Sequence, residues 1–581
     1  MKRNLFTLLS LLVLASMVLV ACGGGATEAP ATEAPAPPPT EAPVATEAPT
    51  EAPVAYEGMM VESPDCDYGG EFKSVEAVDE FTVKITLCVP DPAFPSKIAF
   101  TSFAVQPSEY LESTGGKGDL LEQPIGTGPY MIESWERGNQ LVLKAFPDYW
   151  GENTGAETLV FRWGTESAQR LLELQSGTVD GIDNVGPDDF ATVEGDSNLA
   201  LYTRPALNTM YIGFNNNPQV EGFDNAANPL ANEQVRQAIA MGIDRQRIVD
   251  NFYPAGSEVA SHFTPCVIPN GCVGDEWYSF DAAAAKALLA EAGYPDGFET
   301  VLNYRDVVRG YLPDPNVVAQ DIQAQLKENL NITVNIEVME SGAFLAAADA
   351  GQLQGIHLLG WGADYPDQTN FVGYHFGAGS SKQFGDHWDD ITSALASGAQ
   401  LASDSDREPF YTTANNAIRT HVPMIPVAHG GSALAFKASV EGAFASPLGN
   451  EEFSVMSNGT DTFVWMQNAE PISLYCADET DGESLRACEQ ITQSLLSYET
   501  GGTAVEPALA ESYDVNDDLT EWTFHLRQGV LFHDGSSLDA NDVVQSLVIQ
   551  WDAANPLHTG NTGAFSYWSG LFGTFLNAPP Q

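Results

Sequence analysis

The chain has 581 residues, of which 44% are hydrophobic, and a formal net charge of −55 at pH 7. A chain of this length is too long for one compact core, so roughly two or three lobes are expected. The acidic balance excludes a nucleic-acid-binding role, because contacts with phosphates need clustered Lys and Arg. Such acidity instead favours solubility outside the cell.

The first 56 residues have the pattern of an export signal followed by a tether. A positively charged start and an apolar run over residues 8–20 predict a signal peptide over 1–21, because the run is too short for a transmembrane helix. The sequence Leu-Val-Ala-Cys resembles a bacterial lipobox, which implies that Cys22 becomes the lipidated first residue. An ordinary cleaved signal with a chance cysteine is the alternative. Residues 22–56, rich in Pro, Glu and Thr, predict an extended linker from the lipid anchor.

The folded body begins near Ser63 and alternates strands with helices. Apolar and polar residues alternate over 81–87, as they do in a half-buried strand. A glycine-rich turn over 124–130 lacks the Lys and Ser/Thr that a phosphate-binding P-loop requires. Further elements are predicted as strands 211–216 and 332–338, as helices 170–176, 316–330 and 539–551, and as helices capped by Asn232, Asp244 and Asp281. This alternation indicates mixed α/β lobes.

Six of the seven cysteines remain once Cys22 is assigned to the lipid. They form three candidate disulfide pairs: Cys66 with Cys88, Cys266 with Cys272, and Cys476 with Cys488. Disulfides are the default for cysteines of an exported protein. A metal site is the rival interpretation, but no CxxC or HExxH pattern is present.

The stretch 358–367 carries the strongest signal for ligand binding. Gly360 and Gly362 leave the backbone open to hydrogen bonding by a ligand. Trp361 offers a flat apolar wall that can also face a cation. Asp364 needs a cationic or hydrogen-bonding partner if it is buried. Taken alone, the pattern also suits a strand that ends in a turn with an acidic residue.

The sequence Gly-Trp-x-Ala-Asp-Tyr over 360–365 resembles the ligand-cleft motif of family 5 solute-binding proteins, the extracytoplasmic receptors of peptide and nickel ABC importers. Further resemblance lies in Gly-Thr-Gly-Pro-Tyr over 126–130 and in the segments 232–245 and 283–297. The resemblance implies that Asp364 pairs with the α-ammonium group of a peptide. It also implies that Trp361 lines a side-chain pocket, that the Gly360–Gly362 backbone pairs with the peptide like an added strand, and that Tyr365 belongs to the same substrate-binding set.

The resemblance further implies an α/β, periplasmic-binding-protein-like fold of type II, cluster C, with two lobes that close around a hinge and an extra domain. The motifs that usually open the family lie near the end of this chain, at 470–471, 507–512 and 532–535. The usual C-terminal segment, 447–453, comes directly before them. The sequence therefore resembles a circularly permuted receptor, with the old termini joined near 457–460. A truncated tandem of two receptors is the alternative, and the unduplicated motifs disfavour it.

The predicted division of the chain follows from this order. It comprises a signal peptide at 1–21, a lipid-anchored linker at 22–56, the extra domain at 57–125 and 497–581, lobe I at 126–215, 436–456 and 457–496, and lobe III at 216–435.

The predicted function is that of an extracytoplasmic receptor that binds peptides or oligopeptides in an interlobe cleft and delivers them to an ABC permease. We expect a monomer without a cofactor, anchored to the cell membrane through Cys22 in the periplasm or on the outer face. Oligosaccharides and nickel complexes are the alternative ligands, since the family binds all three.

A secreted hydrolase is less favoured, because no Gly-x-Ser-x-Gly elbow is present and because Asp364 and Asp367 are only three residues apart. His375 and His387 are the candidate metal ligands near the motif, although lone histidines are more often polar surface or loop residues.

Overall fold

The computed structural model describes residues 56–218 and 228–579. The predicted signal peptide, Cys22 and the linker up to residue 55 lie outside these ranges. None of the helices within the two ranges is long and apolar enough to span a bilayer.

Strands are distributed along the whole described chain. They are β1 Met60–Glu62, β2 Phe72–Asp79, β3 Thr82–Leu87, β4 Tyr130–Glu136, β5 Gln140–Ala145, β6 Thr158–Trp163, β7 Gly181–Ile182, β8 Leu199–Arg204, β9 Asn208–Phe214, β10 Glu258–Val259, β11 Glu299–Arg305, β12 Thr333–Met339, β13 Ile356–Gly362, β14 Met424–His429, β15 Ser432–Lys437, β16 Thr462–Gln467, β17 Leu496–Tyr498, β18 Val505–Pro507, β19 Ala510–Val515 and β20 Glu521–Leu526.

Helices alternate with these strands, which confirms the mixed α/β class. They are α1 Phe94–Ala99, α2 Ser108–Thr114, α3 Ser167–Ser176, α4 Phe190–Gly195, α5 Glu233–Gly242, α6 Arg245–Phe252, α7 Ala282–Glu291, α8 Pro315–Leu330, α9 Ser341–Asp349, α10 Tyr374–Phe376, α11 Asp389–Ala399, α12 Asp404–His421, α13 Gly482–Ile491, α14 Ala540–Trp551 and α15 Ser566–Phe572. A π-helical turn, Thr369–Gly373, leads directly into α10.

The predicted helix caps are confirmed. The side chain of Asn232 accepts a hydrogen bond from a backbone N–H in the first turn of α5, and Asp244 and Asp281 do the same for α6 and α7. Each cap satisfies a backbone donor that has no partner within the helix. These three helices therefore begin where the sequence places them.

The first sheet joins the two ends of the described chain. Its five strands follow the order β1-β2-β3-β20-β19, and all neighbours are antiparallel. Burial alternates along β3, because one face packs on the core while the other faces solvent. In the central pairing, Val83 lies opposite Phe524 and Ile85 lies opposite Trp522. The segment after residue 470 thus packs beside the segment around residue 83.

The second sheet carries the strand that precedes Asp364. Its order is β10-β14-β9-β13-β11-β12. β9 lies between β13 and β14 and is buried along its whole length. The third sheet has seven strands in the order β4-β5-β6-β16-β7-β15-β8, and β16 enters it parallel to β6 and β7.

Near two of the predicted lobe boundaries, a strand belongs to a different sheet from most strands of its assigned lobe. The range 126–215 assigned to lobe I contains β9, which belongs to the six-stranded sheet. The range 216–435 assigned to lobe III contains most of β15, which belongs to the seven-stranded sheet. The chain passes from one sheet to another just before Asn208 and again at Gly430. The two segments in which it does so, here called crossings, lie side by side. The Asn208 side chain donates to the Gly430 carbonyl at 2.7 Å and accepts from its N–H at 2.8 Å.

Three disulfides join the cysteines in the pairs named from the sequence. The Cα atoms are 5.6 Å apart for Cys66–Cys88, 4.9 Å apart for Cys266–Cys272 and 6.4 Å apart for Cys476–Cys488. These separations lie within the usual range for a disulfide, roughly 4.4–6.8 Å.

Candidate functional site

Asp364 lies just beyond the end of β13, on the segment that connects this strand to the π-helical turn. Its carboxylate is 8% exposed and receives two hydrogen bonds. The Tyr567 hydroxyl donates to Oδ1 at 3.0 Å, and the Asn370 side-chain amide donates to Oδ2 at 2.8 Å. Asn370 also accepts from the Asp364 backbone N–H at 2.9 Å, so it fixes the residue from both sides.

Within the described ranges, no Lys, Arg or His side chain forms an ion pair with this buried carboxylate. Its side-chain hydrogen-bond partners are the neutral side chains of Tyr567 and Asn370. Burial raises the pKa of Asp364 to about 7, and the two hydrogen bonds only partly oppose that rise. A carboxylate removed from water is costly unless it is paired, because its charge loses hydration. The site is therefore suited to a ligand that brings the missing positive charge.

Trp361 belongs to an aromatic stack beside Asp364. Its ring is half-buried and lies 4.2 Å, centroid to centroid, from the Tyr374 ring, with the two planes at 27°. Its indole N–H donates to Asn370 Oδ1 at 3.3 Å. Tyr374 in turn rests on Gly570 of α15, where an added Cβ would lie 2.3 Å from the tyrosine ring. The aromatic stack therefore extends from Trp361 of β13 to Gly570 of α15.

The two glycines of the motif serve different purposes. Gly362 is exposed, and an added Cβ would meet nothing within 4 Å. Gly360 is buried, and an added Cβ would lie 2.2 Å from the Tyr311 ring. Gly360 therefore gives room to the Tyr311 ring, whereas Gly362 is the glycine of the pair that is open to solvent.

One edge of β13 beside the motif carries no strand. On one side, residues 356–362 all pair with β9. On the other side, β11 pairs only with Ile356 and His357. The backbone of residues 358–362 therefore has no strand partner on that side among the described strands.

Tyr365 points away from solvent and is 1% exposed. Its hydroxyl lies 3.1 Å from the Thr369 hydroxyl. Its ring lines a cavity of about 430 Å³ that has α15 on its opposite side. Tyr365 is thus a wall residue of a neighbouring cavity as well as part of the motif.

Three residues of this site, Tyr567, Asn370 and Tyr374, are not among those predicted from the sequence. Tyr567 lies 203 residues from Asp364 and belongs to none of the recognised motifs. The loop before Tyr567 is held by Asp478, whose carboxylate accepts from the backbone N–H of Gly563 at 2.8 Å and of Phe565 at 2.7 Å. The only local sign of a role for Asn370 is that it is a short polar residue shortly after the motif.

An ion pair links the six-stranded and seven-stranded parts of the molecule. Arg309, in the loop after β11, reaches Glu483 at the start of α13 through two contacts of 3.0 and 3.3 Å. Only 5% of the Glu483 side chain and 20% of the Arg309 side chain are exposed. This forked geometry fixes orientation as well as distance.

The other acid and the two histidines near the motif have polar partners. His387 Nε2 lies 3.0 Å from the Ser380 hydroxyl. Asp367 binds the Arg407 guanidinium through contacts of 2.6 and 2.7 Å. Burial alone would raise its pKa, but the Arg407 guanidinium holds the pKa of Asp367 below its ordinary value. His375 is buried, contacts the Phe371 carbonyl at 2.8 Å, and has a pKa lowered by burial to about 4. Across the described ranges, no group of three or more His, Cys, Asp or Glu is arranged to hold a metal ion.

Comparison with known proteins relates this geometry to one family. The sequence pattern of the family described as bacterial extracellular solute-binding proteins, family 5 Middle, matches residues 38–383 and 504–568. Heme-binding protein A of Haemophilus influenzae is 29% identical over 387 residues, which cover 66% of this chain and 69% of that protein. A dipeptide-binding protein of Pseudomonas aeruginosa is 29% identical over 394 residues, covering 66% and 71%.

A similar fold occurs in the periplasmic binding protein DppA of Helicobacter pylori, solved in complex with the peptide STSA. The TM-score is 0.58 at 23% identity, and the match covers 73% of this chain and 74% of that chain. At this identity the likeness concerns the fold alone, and it confirms the periplasmic-binding-protein-like class expected from the sequence.

Replacing Asp364 by Asn is expected to stabilise the unliganded protein more at pH 8 than at pH 5. The folded protein keeps the Asp364 proton until the pH is about 7, whereas the unfolded chain releases it near pH 4. Wild-type stability therefore falls as the pH rises between these values, and the loss persists above pH 7. Asn cannot ionise, so the stability difference between Asp364→Asn and wild type grows with pH. Chemical denaturation at both pH values measures this difference.

The control is Asp389→Asn, which alters an exposed acid at the start of α11. Its effect on stability should be the same at pH 5 and pH 8. A pH-independent effect of Asp364→Asn would show that the buried carboxylate carries no such penalty.

Proposed function

The chain belongs to the bacterial extracellular solute-binding proteins of family 5, and we propose that it is the extracytoplasmic receptor of an ABC importer. In this proposal it binds peptides or oligopeptides in the cleft beside Asp364 and delivers them to a membrane permease. It acts as a monomer, without a cofactor and without catalysing a reaction. The dipeptide-binding relative supports a peptide as the ligand.

The observation that carries the proposal is the unpaired, buried carboxylate of Asp364. An α-ammonium group would supply both a positive charge and hydrogen-bond donors to the lone pairs that Tyr567 and Asn370 leave free. A neutral sugar hydroxyl would leave the charge uncompensated. A peptide N-terminus therefore matches this site better than an oligosaccharide does.

The backbone and the aromatic side chains support the same ligand class. The free edge of β13 over residues 358–362 suits pairing with an extended peptide, because main-chain hydrogen bonds give affinity that tolerates different sequences. Gly362 leaves this edge open to solvent, while Gly360 keeps the strand close to Tyr311. Trp361 and Tyr365 then contact the ligand through their rings.

The mechanism of capture is closure of two lobes around a hinge. The hydrogen-bonded crossings at Asn208 and Gly430 are the hinge in this proposal. The Arg309–Glu483 pair and the Tyr567–Asp364 contact bridge parts that separate when the cleft opens. A ligand that adds contacts across the cleft shifts the equilibrium toward the closed form, which the permease recognises.

We further propose that the chain is a circular permutation of the usual family order. Two features support this. The proposed junction at 457–460 is an exposed turn that contains Gly459 at φ +76° and leads into β16. The two ends of the body also meet, since the Glu71 N–H donates to the Phe572 carbonyl at 2.7 Å. Permutation is tolerated where natural termini lie close together and the new break is an exposed loop.

Export and anchoring complete the proposal. The signal peptide over 1–21 directs the chain across the membrane, Cys22 carries the lipid, and the linker over 22–56 lets the body move above the bilayer. A single lipidated residue and an extended linker place the cleft near a permease without adding a membrane-spanning helix.

Replacing Asp364 by Asn is expected to weaken the binding of trialanine by about 1.5–3 kcal/mol, the range for a hydrogen bond to a charged group. N-acetyl-trialanine, which lacks the ammonium group, should bind wild type as weakly as trialanine binds the variant. The two changes together should cost little more than either alone, because both remove the same interaction. Isothermal calorimetry measures all four affinities.

The control is again Asp389→Asn, which should leave the affinity for trialanine unchanged. Equal binding of trialanine by wild type and by Asp364→Asn would remove Asp364 from the ligand site.

Replacing Cys22 by Ser is expected to release the protein from the membrane fraction, because the thiol that carries the lipid is lost. Metabolic labelling with radioactive palmitate should mark the wild type and not the variant. Continued labelling of Cys22→Ser would show that the lipid is attached elsewhere or that the assignment is wrong.

A further inference from the structure

A second cavity lies beside the Asp364 site and has a different chemistry. It has a volume of about 430 Å³ and lies between two walls. One wall comes from residues 66–97 and 569–573, and the other comes from residues 365–411. Sites for small organic molecules usually enclose roughly 300–1,000 Å³ and are mostly apolar with a few placed polar groups. Asp364 does not line this cavity, whereas the next residue, Tyr365, does.

The charged groups of the cavity form one cluster around Lys97. Its ammonium group lies 3.1 Å from Glu71 Oε2 and 2.8 Å from Asp91 Oδ2, and it donates to the Leu571 carbonyl at 3.0 Å. Only 6% of the Lys97 side chain is exposed, with 12% of Glu71 and 5% of Asp91. The contacts with Glu71 and with the Leu571 carbonyl are hydrogen bonds, whereas the contact with Asp91 is an ion pair without hydrogen-bond geometry.

The cluster holds two carboxylates for one cation. Asp91 lies behind Lys97, whereas Glu71 lines the cavity directly. The Glu71 carboxylate receives a hydrogen bond from Lys97 alone among the side chains described. Burial, together with the neighbouring Asp91 carboxylate, raises the pKa of Glu71 well above its ordinary range. The ionised form of Glu71 gives the cluster one negative charge more than Lys97 balances, so a second cation in the cavity would favour that form.

The rest of the cavity wall is largely apolar. Leu395 of α11 contributes from one side, and Leu571 and Phe572 of α15 contribute from the other. Phe572 already lies under the Lys97 ammonium, 5.3 Å from its ring centroid. An occupant with an apolar body can bury that body between these walls, and its polar end then meets Glu71.

We propose that this cavity is a second binding site, distinct from the cleft at Asp364, for a small organic cation. The cationic group, an ammonium or an amidinium, pairs with Glu71, and the apolar part packs between α11 and α15. A neutral molecule of the same shape does not favour the ionised form of Glu71, and an anion disfavours it. The site therefore selects for positive charge at its Glu71 end.

The experiment compares three probes of similar shape: phenethylammonium, 2-phenylethanol and 3-phenylpropanoate. Ligand-observed NMR titration of the purified protein should give at least tenfold tighter binding of phenethylammonium than of the other two. Glu71→Gln should remove that preference. Ala396→Trp, which places a large ring at the exposed edge of the cavity, should prevent binding of all three.

Controls separate this site from the Asp364 cleft and from general effects of charge. Glu133→Gln removes an exposed carboxylate that also contacts a lysine, at 2.7 Å, and should leave binding of phenethylammonium unchanged. Trialanine binding should survive Glu71→Gln. Because residue 396 is exposed, Ala396→Trp should not disturb the core. This variant therefore still tests the site if Glu71→Gln lowers the melting temperature.

Three results would overturn the proposal. They are equal binding of the ammonium and the alcohol, binding that both Glu71→Gln and Ala396→Trp leave unchanged, and binding that disappears in Asp364→Asn. The last result would place the probe in the peptide cleft. If Asp364→Asn loses trialanine binding but keeps phenethylammonium binding, the result supports two independent sites.

Discussion

The central feature of the structure is one buried carboxylate that is hydrogen-bonded but has no cationic partner among the described residues. Asp364 accepts from Tyr567 and Asn370, and burial raises its pKa to about 7. Two neutral donors hold the carboxylate in place without balancing its charge. A receptor gains specificity from such a group, because only a ligand that supplies the missing charge offsets the cost of burying it.

Contacts between distant parts of the chain bring Tyr567 to this carboxylate. The pairing of β3 with β20 fixes the C-terminal segment against the N-terminal part of the body. Asp478 accepts hydrogen bonds from the loop before α15 and holds it in place. Gly570 of α15 leaves room for Tyr374, and the Tyr374 ring stacks on Trp361. Parts of the chain far apart in sequence thus meet at one site. The same helix also walls the second cavity, so α15 contributes to both.

Local features of the sequence predicted local structure well. Cap residues such as Asn232 and the alternation over β3 act through nearest neighbours along the chain, so the sequence contains the whole signal. The motif around Asp364 predicts where the ligand binds, and that assignment stays a prediction. The Tyr567 contact, the packing of Tyr311 on Gly360 and the sheet change before Asn208 depend on tertiary packing across many residues. No periodicity or spacing encodes those contacts.

The most direct test of the central claim is the number of protons released when a peptide binds. Calorimetric titration of trialanine at pH 7, in two buffers of different ionisation enthalpy, measures this number. Asp364 is half-protonated at this pH in the free protein and ionised once it pairs with an ammonium group. We therefore expect a net release of roughly a third to a half of a proton per peptide. A binding enthalpy that is the same in both buffers would contradict the account.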